Sequence, residues 1–296
     1  MVIEDTNISV VIPTYNYGRF VAEAIHSVLG QTVNCLEIIV VDDGSTDETE
    51  AVVGSFGDRV RFIKQQNSGV GVARNRGVAE STGEYIAFLD ADDYWHPQKL
   101  EKQLEVFEAD KEIGLVHCGI TNVDTSGVAM DDMVDGRFGW VASDLLRFQP
   151  VIIGPGSTSL IKREVFKHIG GYDTDPDLHP SEDWEFSYRV ACVAKFGFVR
   201  EPLVYYRHHG KGGHTNIARM ERAMTKGFKK SFATDDEEIL DLKSEAYARL
   251  YTVLAGSYFQ AGQYGGFVRN AVKSILKRPA NIRYFVEYPM RKLKRR

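Results

Sequence analysis

The 296-residue chain is 43% hydrophobic and 26% charged, the balance of a globular protein long enough for one large α/β domain with an appendage or for two modest domains. No window reaches the ~20 apolar residues of a membrane span, and the opening "MVIEDTNISVVIPTYN" lacks the pattern of a secretory signal, so a cytoplasmic protein is expected. The net charge is −5, but ten Lys/Arg and the single Glu287 between Arg269 and Arg296 make +9 there and leave −14 for the rest; an acidic body with a basic tail is not the footprint of a nucleic-acid binder.

In chain order, Ile8 to Ile12 is a β-branched run closed by Pro13, which reads as a buried strand. Phe20, Val21, Ala24, Ile25, Val28 and Leu29 then repeat at helical spacing. "LEIIVVDDGSTDET" repeats the plan with a strand from Glu37 to Val41 and a helix whose start holds Ser45 and Glu48 in capping-box register. "VRFIKQQ" reads as a third strand, "GVGVARNRGVAES" as a loop entering a third helix, and "EYIAFLD" as a fourth strand. Alternating strands and helices predict a mainly parallel sheet, whose ligands bind beyond the carboxyl ends of the strands. The polar clusters Thr14 to Asn16, Asp42 to Ser45 and Asp90 to Asp93 all fall at such ends and point to one crevice.

Later elements are less regular. Pro97 opens a helix with Leu100, Leu104 and Phe107 on one face, "IGLVHCGITNVD" reads as a strand, and Met130 to Pro150 is a weakly patterned stretch with the character of a lid. "STSLIKREVFKHIGGYD" reads as a strand and a helix stopped by Gly170 and Gly171, "SEDWEFSYRVACVAKFG" as a helix opened by Ser181, and "FVREPLVYYRHHGKGGHTN" as a last strand and a Gly/His loop. From Ile217 onward the pattern is helical, which sets a domain boundary near residue 216. Cys35, Cys118 and Cys192 are odd in number and lie in or beside apolar segments, as reduced core cysteines do.

Three carboxylates, Asp90, Asp92 and Asp93, at the mouth of an apolar strand repel one another and resist desolvation, so a positive partner belongs there. Lysine or arginine side chains are one answer; a divalent cation is the other, since an all-oxygen site suits Mg²⁺ or Mn²⁺ shared with substrate phosphates. Asp42 and Asp43 either form the turn with Gly44 or accept hydrogen bonds from a base or ribose. Gly69, Gly71 and Gly77 miss the G-x-G-x-x-G spacing because Arg74 occupies the last position, and no G-K-[ST] follows, which disfavours dinucleotide and ATPase sites. Glu182 and Asp183 are either dipole-favoured acids of a helix start or a general base. His208, His209 and His214 lack an H-E-x-x-H pattern, which favours loop or phosphate contacts over zinc.

Taken in order, "VVIPTYNYGRFVAEAIHSVLGQT", "EIIVVDDGSTDET", "NSGVGVARNRGVAESTGEYIAFLDADDYW", "GGYD", "SEDWEFSYRV" and "EPLVYYRHHG" resemble the family 2 nucleotide-sugar glycosyltransferases over residues 7 to 216. The resemblance implies a GT-A fold, a Rossmann-like mixed α/β sheet flanked by helices, over residues 1–216, with 217–296 as a helical extension. It implies inverting transfer from a nucleoside-diphosphate sugar, most often UDP-linked, to a hydroxyl of a glycan or lipid-linked glycan. Carried onto this chain, Pro13, Thr14 and Tyr15 would cradle the uracil and Asp42 would bind its polar edge, with Asp43 as second choice; Arg74 would contact nucleotide or phosphate, and Asp90, with Ala91 beside it, the ribose or metal. Asp92 would hold Mn²⁺ or Mg²⁺ with His209, whose place His208 contests by one position, and Asp183, paired with Glu182, would be the base.

Two rival functions are a transferase acting on polyprenyl phosphate, whose ionised acceptor needs no base, and a non-catalytic nucleotide-sugar binder or scaffold. The tail interleaves Ile275, Leu276, Ile282, Tyr284, Phe285, Tyr288 and Leu293 with basic residues. It is either a solvated helix pair or a peripheral contact with anionic lipid on the cytoplasmic face of a membrane.

Overall fold

The computed structural model describes residues 6–209 and 216–293, without the side chains of 288–293. His214 and the side chains of Tyr288 and Leu293 lie outside the described residues. Two compact units emerge, one of residues 1–142, 150–176 and 182–212, the other of 143–149, 177–181 and 213–296.

The first unit is built on β1 (Ile8–Thr14), α1 (Gly18–Leu29), β2 (Glu37–Asp42), α2 (Thr49–Gly54), β3 (Arg61–Lys64), α3 (Val70–Ala79) and β4 (Tyr85–Phe88). β1 pairs in parallel with β2 and β4, and β2 with β3. Every residue of β1 is buried, as expected of a parallel strand with helices on both faces, whose sequence runs apolar rather than alternating. Register sets Thr14 opposite Asp42, so the polar ends of β1 and β2 meet. β5 (Tyr94–Trp95), α4 (Lys99–Ala109), β6 (Ile113–Val123) and β7 (Ala129–Met133) follow. Then come α5 (Ala142–Leu146), α6 (Pro155–Thr158), β8 (Leu160–Lys162), α7 (Arg163–His168), α8 (Glu182–Ala191) and β9 (Lys195–Arg207). The sheet order is β3-β2-β1-β4-β8-β6-β9-β5, with β7 on β6. The sheet is mixed, because β8 runs antiparallel to both β4 and β6 and β5 antiparallel to β9. Met130 to Pro150 is more structured than its pattern suggests, since it takes in most of β7 and all of α5.

Local readings fare unevenly. Gly170 and Gly171 end α7 with φ of 75° and 73°, conformations open to glycine at little cost. The capping box at α2 does not form: Asp47 Oδ1 accepts from Thr49 N (3.1 Å) and its Oδ2 from Gly18 N (3.0 Å), while Ser45 Oγ accepts from Asn16 N (2.8 Å). The nearer carboxylate captures the helix N–H, and the serine ties β1's loop to β2's instead. Cys118 is in the core, whereas Cys192 is exposed, contrary to its apolar setting.

The second unit holds α9 (Ile217–Ser231), α10 (Glu237–Asp241), α11 (Lys243–Gln260), α12 (Tyr264–Lys277) and α13 (Ile282–Leu293). Asn216 caps α9 by accepting from Arg219 N (3.0 Å). Ala255, Ala271 and Phe285 form a small core, with Phe267, Ile275 and Tyr284 packed against it. Among the described residues, no helix is long and apolar enough to cross a membrane.

Candidate active site

Four strand ends of the first unit assemble one polar site. At the end of β1, Pro13 and Thr14 are buried and Tyr15 is 47% exposed. Asn16 has φ of 58° and its Oδ1 accepts from Thr46 N (2.9 Å), which binds the β1 loop to the loop after β2; asparagine tolerates this left-handed conformation better than most residues. Asp42 Oδ1 accepts from Ser45 N (2.9 Å). Its Oδ2, buried, has no hydrogen-bond partner, and neither has the buried Oγ1 of Thr14 opposite it. Two unsatisfied buried polar atoms at one strand end are costly unless a ligand completes them.

Asp43 is committed elsewhere. Its Oδ1 accepts from Gln65 Nε2 and Ser68 N, both 2.8 Å, and its Oδ2 from Gly69 N at 2.8 Å. The second-choice nucleotide contact is thus a brace for the loop that launches α3.

Arg74, on α3, is 1% exposed. Nη1 donates to Asp183 Oδ1 (2.5 Å) and Nη2 to Asp90 Oδ1 (2.7 Å), while the guanidinium lies 5.0 Å from the centre of the Tyr172 ring. Arg74, which the resemblance gives as a nucleotide or phosphate contact, joins two carboxylates 93 positions apart, and so fixes the start of α8 against the end of β4. Its own place is tight: a Cβ added to Gly156 of α6 would come within 2.3 Å of Asp90 Oδ2 and 2.4 Å of Arg74 Nη2.

Asp183 keeps about a third of its side-chain surface exposed. Its carboxyl is raised from 3.8 to about 6, because burial, with Glu182 and Asp90 nearby, outweighs the opposing pull of Arg74. Glu182 is nearly buried, at 8% exposure.

The acidic triplet divides its labour. Asp90 is 31% exposed at its side chain and, beyond its bond to Arg74, donates its backbone N–H to Ser157 Oγ (3.1 Å). Ala91 is 2% exposed with its methyl in the core, so only its backbone is left to meet a nucleotide. Asp93 is fully committed: Oδ2 accepts from Ser157 Oγ–H (2.6 Å) and Oδ1 from Arg207 N (2.9 Å), while burial beside Asp92 and Asp90 pushes its carboxyl well above the usual range. Arg207, with its side chain 3% exposed, donates Nε to the Asp92 carbonyl (2.9 Å) and Nη2 to Glu23 Oε2 (2.5 Å). Of the two buried arginines, only Arg74 pairs with a carboxylate of the triplet, that of Asp90; Arg207 reaches Asp93 through its backbone N–H and spends its guanidinium on Glu23 and the Asp92 carbonyl.

Asp92 is different. Its Oδ2 lies 2.7 Å from His209 Nε2, which also meets the Tyr17 hydroxyl at 3.2 Å. Burial, then the neighbouring Asp90, lift the Asp92 carboxyl, and His209 opposes them. His208 turns instead to Asn122 Oδ1 (2.8 Å), so that of the two histidines it is His209 that lies beside Asp92. Among the described residues, no three His, Cys, Asp or Glu converge as a metal cage. A carboxylate oxygen and an imidazole nitrogen 2.7 Å apart fit a Mn²⁺ or Mg²⁺ ion that takes its other ligands from water and a diphosphate.

Sequence reasoning missed Tyr17, Ser157, Tyr172 and Arg207. Tyr17 and Arg207 sit inside segments that stood out for their neighbours, whereas Ser157, in "GPGSTS", carries no signal beyond turn-forming composition.

Residues 9–170 match the model of Glycosyl transferase family 2. A protein described as an uncharacterized glycosyltransferase from Nostoc sp. is 35% identical over 226 residues, 71% of this chain and 67% of its own length. Another so described, from Rickettsia prowazekii, is 29% identical over 291 residues, 91% of this chain and 90% of its own length. Among solved structures, S. aureus TarS in complex with UDP-GlcNAc aligns with a TM-score of 0.65 at 15% identity over 92% of each chain. The mannosyltransferase PcManGT from Pyrobaculum calidifontis, in complex with GDP-Man and Mn²⁺, aligns at 0.61 and 18% identity over 93% of this chain and 82% of its own. At such identities these structures speak for the fold, which is the GT-A fold. The chain is a glycosyltransferase and belongs to glycosyl transferase family 2.

Proposed function

We propose that this enzyme moves a sugar from a UDP-sugar to a hydroxyl of a glycan or lipid-linked glycan, with inversion and with Asp183 as general base. The observation that carries the reading is Asp183 itself: a third exposed, raised to about 6, and held by Arg74 against the Asp90 strand end. A base with a pKa near the working pH combines availability with driving force. Asp183 takes the acceptor hydroxyl's proton as that oxygen bonds to the anomeric carbon, and the bond to the diphosphate oxygen breaks on the opposite face, releasing UDP. Arg74 orients the base. Asp92 and His209 would hold the divalent metal, which when bound supplies Lewis-acid stabilisation of the departing diphosphate. The base is what favours a hydroxyl over an already ionised polyprenyl phosphate.

The uracil would lie on exposed Tyr15, its polar edge completing Asp42 Oδ2 and Thr14 Oγ1. TarS holding UDP-GlcNAc and PcManGT holding GDP-Man support a nucleotide-sugar donor in this fold. Calorimetric titration with UDP should show Asp42→Asn binding ~10- to 100-fold more weakly than wild type, the loss of a hydrogen bond to a charged acceptor. Equal affinities would remove Asp42 from the nucleotide site.

The second unit carries the peripheral membrane contact. Tyr264, Val268, Val272 and Leu276, each four residues from the next on α12, are 49–78% exposed, and Ile282 and Val286 of α13 are 57% and 66% exposed. In sequence, Val272, Leu276, Ile282 and Val286 are interleaved with Arg269, Lys273, Lys277, Arg278 and Arg283, a composition complementary to an anionic lipid surface. Ile275, Tyr284 and Phe285, also expected to face lipid, pack inward. The Val268→Asp/Leu276→Asp variant, altered only at exposed positions, should lose at least about tenfold in cosedimentation with anionic liposomes, since burial of two such side chains is worth roughly 1.5–3 kcal/mol each. Unchanged cosedimentation would reject the contact.

A further inference from the structure

The second unit contains a cavity of about 230 Å³ lined by Arg147, Arg249 and Arg278 with Glu245 and Asn281 among its other walls. Arg147 follows α5, Arg249 and Glu245 lie on α11, and Arg278 and Asn281 flank the break between α12 and α13. Three cations line the cavity with one carboxylate, and two of them, Arg147 and Arg278, approach that carboxylate. Glu245 is shared loosely, with Arg147 Nε at 3.4 Å from Oε2 and Arg278 Nη1 at 3.7 Å from Oε1. Arg249 is exposed and has no ion pair among the described residues. Asn281 is fixed by donating Nδ2 to Ser274 Oγ (2.8 Å), which anchors the wall formed by the helix break.

The geometry points to a binding site for a phosphate-type oxyanion in this cavity, separate from the donor site and independent of its chemistry. Guanidinium forks pair with phosphate oxygens two at a time, and the surplus of two positive charges here exceeds what Glu245 neutralises. Glu245 bridges Arg147 and Arg278 and competes with the anion for them. The ligand is either a soluble phosphate group or the phosphate of a lipid; Leu276 and Ile282, 78% and 57% exposed, are the chain neighbours of the Arg278–Asn281 wall and would meet acyl chains in the second case.

The test is calorimetry on the full chain with the donor site saturated by UDP and inorganic phosphate as titrant, at constant ionic strength. Wild type should show one saturable site. Arg249→Gln should weaken it at least about tenfold, the loss of one charge-assisted pair. Glu245→Gln should tighten it by a similar factor, a gain that a mere surface ion pair would not produce. No saturable binding, or identical binding in both variants, overturns the site. Cosedimentation with phosphatidic acid and phosphatidylglycerol vesicles of equal charge identifies the source. A phosphatidic acid preference lost in Arg249→Gln assigns a lipid headgroup, and equal binding to both vesicles alongside Arg249-dependent phosphate binding assigns a soluble one.

Discussion

Asp183→Asn is expected to lower turnover ~100-fold or more, the usual worth of a positioned base, while UDP affinity stays at the wild-type value. The substitution keeps the side chain's shape and its approach to Arg74 but removes the proton acceptor. The pH profile adds a second signature. Because burial lifts the Asp183 carboxyl from 3.8 to about 6 in the free enzyme, wild-type kcat/KM should rise with pH through about 6. Stability runs the other way. A folded state that holds this proton more tightly than the unfolded chain gains most from Asp183 below about 4, and that gain is lost as pH rises through about 6. Turnover by Asp183→Asn equal to wild type, with the same acid limb, would reassign the base.

Arg74→Met is expected to be the most damaging single change in the site. Removing one cation from between two carboxylates leaves buried charge without compensation, a loss of about 3 kcal/mol. The figure sits at the low end of its range because Asp90 and Asp183 each keep about a third of their side-chain surface in solvent. Among the causes that set the Asp183 carboxyl, Arg74 is the leading one that lowers it. Its loss therefore moves the acid limb of kcat/KM above about 6, and alkaline buffer restores part of the rate. Urea unfolding of the variant, paired with its pH–rate profile, reads both effects. Wild-type stability and an unmoved limb would show that Arg74 does not position Asp183.

The β1–β2 end of this site was legible because parallel strands advertise themselves. The runs at Ile8 to Ile12 and Glu37 to Val41 end abruptly in polar residues, and parallel pairing brings such ends together. The division of labour among the acids was not legible. Asp42 and Asp43 are adjacent and identical, yet one keeps a buried oxygen unpartnered while the other is consumed by Gln65, Ser68 and Gly69. Only the path of the loop before α3 separates them. His208 and His209 pose the same problem, since a one-residue step at the end of β9 sends one ring to Asn122 and the other to Asp92. In α12, apolar residues occupy two faces, Phe267, Ala271 and Ile275 on one and Val268, Val272 and Leu276 on the other. Periodicity alone does not say which face finds the core.

The most direct test of the donor site is thermal unfolding of the full chain with UDP, GDP, dTDP and CMP, each with and without Mn²⁺. A ligand at ~100 times its Kd adds about 2.7 kcal/mol of stability, a shift that is easily resolved. The account predicts the largest shift for UDP with Mn²⁺, a smaller one for UDP alone, and loss of the metal-dependent part in Asp92→Asn. An unfolding transition that no nucleotide moves, with or without metal, would contradict it.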